Sequence, residues 1–236
     1  MQMEVLFESS WNPFELNLNE VKTIFIIETT LNIKIATLMK KPAITEQPIH
    51  PILADRWSSR AYDPSQFISQ ESLLSLMEAA RWSPSCMGEQ PWQFIVFQKK
   101  DATAWTQALN CLSIGNQNWA MDASILVLAC AHKNFSNNEK SNRWSQYDTG
   151  AACENICLQA TSMGLVAHQM GGFDVEKTRQ LFQIPSQYDL MSFIAIGYPL
   201  AVDKMSEASL IKEKEARKRK PLREIFYINQ WGEKSL

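Results

Sequence analysis

Arg56 and Arg60 stand four residues apart, with Ser58 between them, in the segment RWSSRAYDP at 56–64. Guanidinium groups are permanently charged planar forks, so such a cluster can grip a phosphate through paired, charge-assisted hydrogen bonds. A second basic run, KEKEARKRKPLR at 212–223, carries seven positive and two negative residues. Taken alone, either cluster is more often a solvated surface, an exposed helix end or a nucleic-acid patch. About twenty residues after the first, SPSCMGEQPWQFIVF at 83–97 combines a turn, small residues, the amide of Gln90 and an apolar strand. Backbone N–H groups in such a turn can reach the edge of a flat ring. The plainer reading is a tight connection with Trp92 in the core.

Other reactive residue types are less informative. His168 falls on an alternating strand, where a packed or backbone-bonded imidazole is the expectation rather than an acid–base catalyst. Cys86 lacks a Cys/His spacing that would make it a nucleophile. Cys153 and Cys157 share a helical face without histidines nearby to complete a metal site, so core packing is expected.

The elements that must position these groups can be read from periodicity and punctuation. Ser69 is placed to cap a helix that Pro84 ends, Asp101–Leu112 has a helical pattern, and Gln146–Met163 reads as a long buried helix stopped by Gly164. Asp174 can cap a further helix through Phe182. Strands are expected at Phe94–Phe97, Ser124–Ala131, Val166–Met170 and Leu190–Pro199, the second being apolar enough to be covered on both faces. Pro42, Pro48 and Pro51 mark Met39–Trp57 as an extended arm rather than a helix. A boundary therefore falls near residues 39–50, and residues 1–38 form an N-terminal extension that is dispensable or, if Met39 is the true start, untranslated.

The chain has 236 residues, 45% of them hydrophobic, a formal net charge of −2 and five cysteines. This suits one substantial core, for which a single α/β domain is the simpler expectation. The small net charge argues against general attraction to nucleic acid. The odd number of cysteines fits a reducing compartment, and no signal peptide or membrane span is recognisable, so a cytoplasmic location is expected.

In order and spacing, RWSSRAYDP followed by ARWSPSCMGEQPW resembles the nitroreductase family, whose members carry an Arg-x-Ser-x-Arg entry and an Ala-Pro-Ser-Ser-x-Asn-x-Gln-Pro-Trp turn. The resemblance continues through YDTGAACENICLQATSMGLVAHQMGGFD and closes on RKRKPLREIFYINQWG, covering about Pro48–Gly232. It implies an α+β fold with a central mixed, mainly antiparallel sheet flanked by helices. It also implies an FMN cofactor, NADH or NADPH as electron donor, and small nitroaromatic or quinone acceptors served by ping-pong hydride transfer. A homodimer is implied as well, with Glu224–Asn229 as an exchanged strand.

The cofactor-binding set carried over is Arg56, Trp57, Ser58, Arg60, Pro84, Ser85, Cys86, Gln90, Gln169, Met170, Gly171, Gly172, Arg217 and Arg219. Arg56, Ser58, Arg217 and Arg219 would hold the phosphate, Arg60 the pyrimidine edge, and the Gln169–Gly172 loop would approach N5. Gly88 departs from the family's asparagine and leaves more space above the ring. Dehalogenation, dehydrogenation and flavin binding without turnover are the alternatives on the same fold.

Overall fold

The computed structural model describes residues 37–233. The expected extension at 1–38 lies outside these residues, save for its last two. The described chain contains seven α-helices: α1 Pro51–Asp55, α2 Gln70–Arg81, α3 Ala102–Leu109, α4 Ile114–Ala120, α5 Ser145–Ser162, α6 Val175–Leu181 and α7 Glu207–Lys214. Four strands are interleaved with them: β1 Trp92–Gln98, β2 Ile125–His132, β3 Val166–Met170 and β4 Tyr188–Gly197.

The strands form one sheet in the order β1-β2-β4-β3, and every pairing is antiparallel. The expected mixed sheet is thus corrected to an antiparallel one among the described residues. On β2, Ile125, Val127 and Ala129 face a core shared with Leu76 of α2 and with Ala152, Cys153 and Ile156 of α5. Leu126, Leu128 and Cys130 face a second core with Trp105 and Ala108 of α3 and Ala120 of α4. The period of two divides one strand between two apolar layers, which is why its sequence is a continuous apolar run.

Local chemistry sets the helix ends. The side chains of Ser69, Asp101 and Asp174 accept from Ser72, Ala104 and Lys177 backbone N–H groups, each satisfying a donor that the first turn leaves free. Gly164 follows α5 with φ +71°, a left-handed conformation that a side chain would disfavour.

Two further segments differ from expectation in the single chain. The arm at Met39–Trp57 contains α1, whose first residue is Pro51. Proline fits there because the first-turn N–H it lacks has no helical partner. Glu224–Asn229 is not a strand: a 3₁₀ turn at Leu222–Glu224 runs into further turns and bends. Its apolar residues Ile225, Phe226 and Ile228 are exposed, and a strand requires a neighbour for its N–H and C=O groups. No described helix is long and apolar enough to cross a membrane.

Candidate functional site

Leaving α1, the chain runs through Arg56–Ala61 with exposure that alternates near its end. Ser58 and Arg60 are exposed, whereas Ser59 and Ala61 are buried. Ser59 is the hub: its hydroxyl donates to Glu213 Oε2 (3.0 Å) and accepts from the Ala61 N–H (3.1 Å). Its carbonyl meets His168 Nδ1 at 3.0 Å. The buried Tyr62 hydroxyl donates to the Ala195 carbonyl at 3.1 Å, which fastens the segment to β4. Gly197 makes room for that ring, since a Cβ there would stand 2.9 Å from Tyr62 Cδ1 and 3.1 Å from the Ser124 nitrogen.

The second basic run begins on α7. Glu213, only 3% exposed, accepts from the Ser59 hydroxyl and, at 2.9 Å, from the Arg60 N–H. Four residues later the Arg217 guanidinium donates to the carbonyls of Lys41 (3.0 Å) and Ala54 (2.5 Å), reaching the end of α1 just before Arg56. Arg56, Arg217 and Arg219 therefore line one cleft of about 930 Å³, together with Ile44, Leu53 and Ile225. Burial, and then the charges of Arg56 and Arg219, push the Arg217 guanidinium below its usual range. Mutually repelling cations at a cleft are stabilised by an arriving anion. This chemistry fits a phosphate group. Trp57 lies beside them under the Lys41 ammonium, 4.6 Å from its ring centre.

Arg60 opens on a different cavity of about 480 Å³, shared with Trp119, Asn118 and Lys212. Its guanidinium lies 5.7 Å over the Trp119 ring. Trp119 also stacks on His168, with ring centres 4.5 Å apart. His168 is pushed below its usual pKa by burial first; the Ser59 carbonyl opposes this, and Arg60 and Arg56 reinforce it. The imidazole is thus packed and backbone-bonded, as its strand position suggests.

Gln169–Gly172 spans the last two residues of β3 and the two that follow it. Gln169 Nε2 donates to Glu154 Oε2 (3.3 Å), and the other oxygen of Glu154 pairs with Arg56 Nε (3.2 Å). Met170 is buried, with its side chain in the second core. The Gly172 carbonyl accepts from the Ser113 N–H (2.9 Å) and Asn116 Nδ2 (3.0 Å). A Cβ at Gly172 would stand 2.9 Å from both Asn116 Nδ2 and Ser113 Oγ, whereas Gly171 has open space. The loop thereby rests on the start of α4.

The remaining expected residues, Pro84, Ser85, Cys86 and Gln90, form a turn elsewhere on α5. The Cys86 N–H donates to buried Asp148 Oδ2 (2.9 Å), and Asn155 Nδ2 donates to Ser83 Oγ (2.6 Å). Ser85 Oγ closes the turn by accepting from the Gln90 N–H at 3.0 Å. Met87, Gly88 and Gln90 have positive φ, so the turn is held against local preference. Asp148 and Asn155 are seven residues apart and share a face of α5, while Glu154 points about 100° away from Asn155. Among the described residues, no hydrogen bond or ion pair joins this turn to the arginine group.

Sequence reasoning missed the residues that organise the site: Glu213, Glu154, Asp148 and Trp119. Glu213 looks like one charge in a solvated run, and only a long-range fold reveals its burial. Cys153 and Cys157 belong to the core, and burial pushes both thiols up to about 12.

The nitroreductase family model matches residues 53–198. A solved structure described as an oxidoreductase containing FMN superposes with a TM-score of 0.74 at 30% identity, covering 81% of this chain and 96% of that one. An uncharacterized 15.4 kDa protein of Mycolicibacterium smegmatis is 31% identical over 128 residues, 54% of this chain and 84% of its own. The major NAD(P)H-flavin oxidoreductase of Aliivibrio fischeri is 48% identical over a shorter stretch of 56 residues, 22% of this chain and 26% of its own. With its arginine segment, turn and glycine loop all inside the matched span, the chain belongs to the nitroreductase family.

Proposed function

We propose that this protein is an FMN-dependent oxidoreductase that passes electrons from NADH or NADPH to small acceptors such as nitroaromatics or quinones, in alternating half-reactions. The observation that carries the reading is the convergence of Arg56, Arg217 and Arg219 on one cleft from segments some 160 residues apart. When bound, FMN supplies hydride chemistry that no side chain offers. The chain's own groups do the rest. The three arginines and Ser58 hold phosphate, and Arg60 offers positive charge to the pyrimidine edge, which favours an anionic reduced ring. The Gln169–Gly172 loop approaches the ring with backbone groups.

A homodimer completes the proposal. The turn at Ser83–Gln90 sits on a different face of α5 from Glu154 and Arg56, and beside it Trp82 and Met87 are 72% and 81% exposed. A second copy supplies the turn across a shared interface, with the flavin between them. The decisive measurement is the visible spectrum of the purified protein before and after anaerobic NADH or NADPH. The expected result is a yellow protein that bleaches with one of them and is reoxidised by a nitro or quinone acceptor. A colourless protein that FMN cannot reconstitute overturns the proposal. Bound FMN that neither donor reduces marks a flavin-binding protein without this turnover.

A further inference from the structure

The clamp that Glu213 makes on Ser59 and Arg60 spans 154 and 153 residues of sequence and joins the two arginine-bearing segments directly. Its carboxylate is buried beside Arg60, and each oxygen has one donor. Glu213 lines the cavity of Arg60 and not the cleft of Arg56, Arg217 and Arg219, so its influence on a phosphate there runs through the position of the chain that follows α7. The two partners are not equally held without it. The Arg56–Tyr62 segment is also fixed by the Tyr62 hydroxyl on Ala195, by the Asp63 N–H on the Tyr198 carbonyl and by His168 on Ser59. The chain after α7 is tied back to that region by the Arg217 bonds to Lys41 and Ala54, while among the described residues the Arg219 guanidinium bonds only the carbonyl of its neighbour Lys218.

We infer that Glu213 is a positioning residue for the cofactor phosphate, which sets Arg217 and Arg219 against Arg56 and so makes the site prefer a phosphorylated flavin to the bare riboflavin. This rests on the FMN reading above. Without Glu213 the Arg60 N–H loses its acceptor, but that segment keeps its Tyr62, Asp63 and His168 anchors, so the loss falls more heavily on the segment that carries Arg217 and Arg219. Glutamine can preserve both contacts, its Oε1 accepting from the Arg60 N–H and its Nε2 donating to Ser59 Oγ. Alanine can preserve neither.

The test compares FMN and riboflavin dissociation constants for the full-length wild type, Glu213→Gln and Glu213→Ala, by fluorescence titration of the apoprotein. Glu213→Ala is expected to weaken FMN binding about tenfold, the scale of one misplaced charge-assisted contact. Riboflavin affinity should fall clearly less than FMN affinity, and Glu213→Gln should bind FMN as the wild type does. Equal losses for both flavins, wild-type affinity in Glu213→Ala, or a glutamine variant as weak as the alanine one would each overturn the inference. If Glu213→Ala does not fold, Ser59→Ala removes one of the two clamp bonds, and the same FMN-to-riboflavin ratio decides. A wild type that binds neither flavin instead overturns the FMN reading itself.

Discussion

The arginine cleft and the Ser83–Gln90 turn are both carried by loops, yet they are built differently. The cleft gathers exposed or half-buried cations, with Arg219 contributing to no packing of consequence. The turn forces three residues to positive φ and anchors itself on Asp148, which is 4% exposed. The difference teaches that the exposed charge of Arg219 can be removed with little effect on folding, whereas the turn is part of what holds α5 and its surroundings in register.

The sharpest way to break this contrast is Arg219→Ala. It should weaken FMN binding by about 1.5–3 kcal/mol, roughly tenfold or more, while leaving the melting temperature unchanged. Unaltered FMN affinity in a flavin titration would remove Arg219 from the site. Asp148→Ala should do the opposite, because it strands the Cys86 N–H in a largely buried place. A loss of about 1–3 kcal/mol in urea unfolding is expected, and a variant as stable as the wild type would show that the turn does not need its buried acceptor.

The smallest effect concerns His168, which packs on Trp119 and meets the Ser59 carbonyl. Burial and the two arginines lower its pKa from the ordinary 6.5, so the unfolded chain takes up the proton first as pH falls. Its contribution to stability is therefore present above about pH 6.5 and declines as pH drops toward the folded value. His168→Gln should flatten the pH dependence of the urea midpoint between about pH 7.5 and 5. An unchanged slope would show that folding does not depress the His168 pKa.

Much of the fold was legible because its signals are local. The Ser69, Asp101 and Asp174 caps, the Gly164 stop and the apolar run of β2 each declare themselves within a few residues. Helix α4 was not legible: IGNQNWA mixes glycine and two asparagines, weak helix formers, and its stability comes from tertiary packing. Helix α7 has good helix formers in EASLIKEK, but its last three residues belong to the basic run at 212–223, which reads as charge rather than as helix. The residues of the candidate site were named through a family resemblance, whereas the partners that hold them in place were not visible at all. Glu213 reaches Ser59, and Asp148 reaches Cys86, across separations that no window of sequence contains. At Glu224–Asn229 the family resemblance implied an exchanged strand, and no sequence window shows whether a neighbouring edge exists to receive one.

Glu154 has a consequence beyond geometry. One carboxylate serves Arg56 with one oxygen and Gln169 with the other. The two positions thus share a creditor in heredity: replacing either leaves Glu154 half-satisfied and alters the constraint on the other. Substitutions at Arg56, Glu154 and Gln169 should accordingly be accepted in concert as the lineage diverges, so that these three sites drift as a unit while the exposed Arg219 changes on its own.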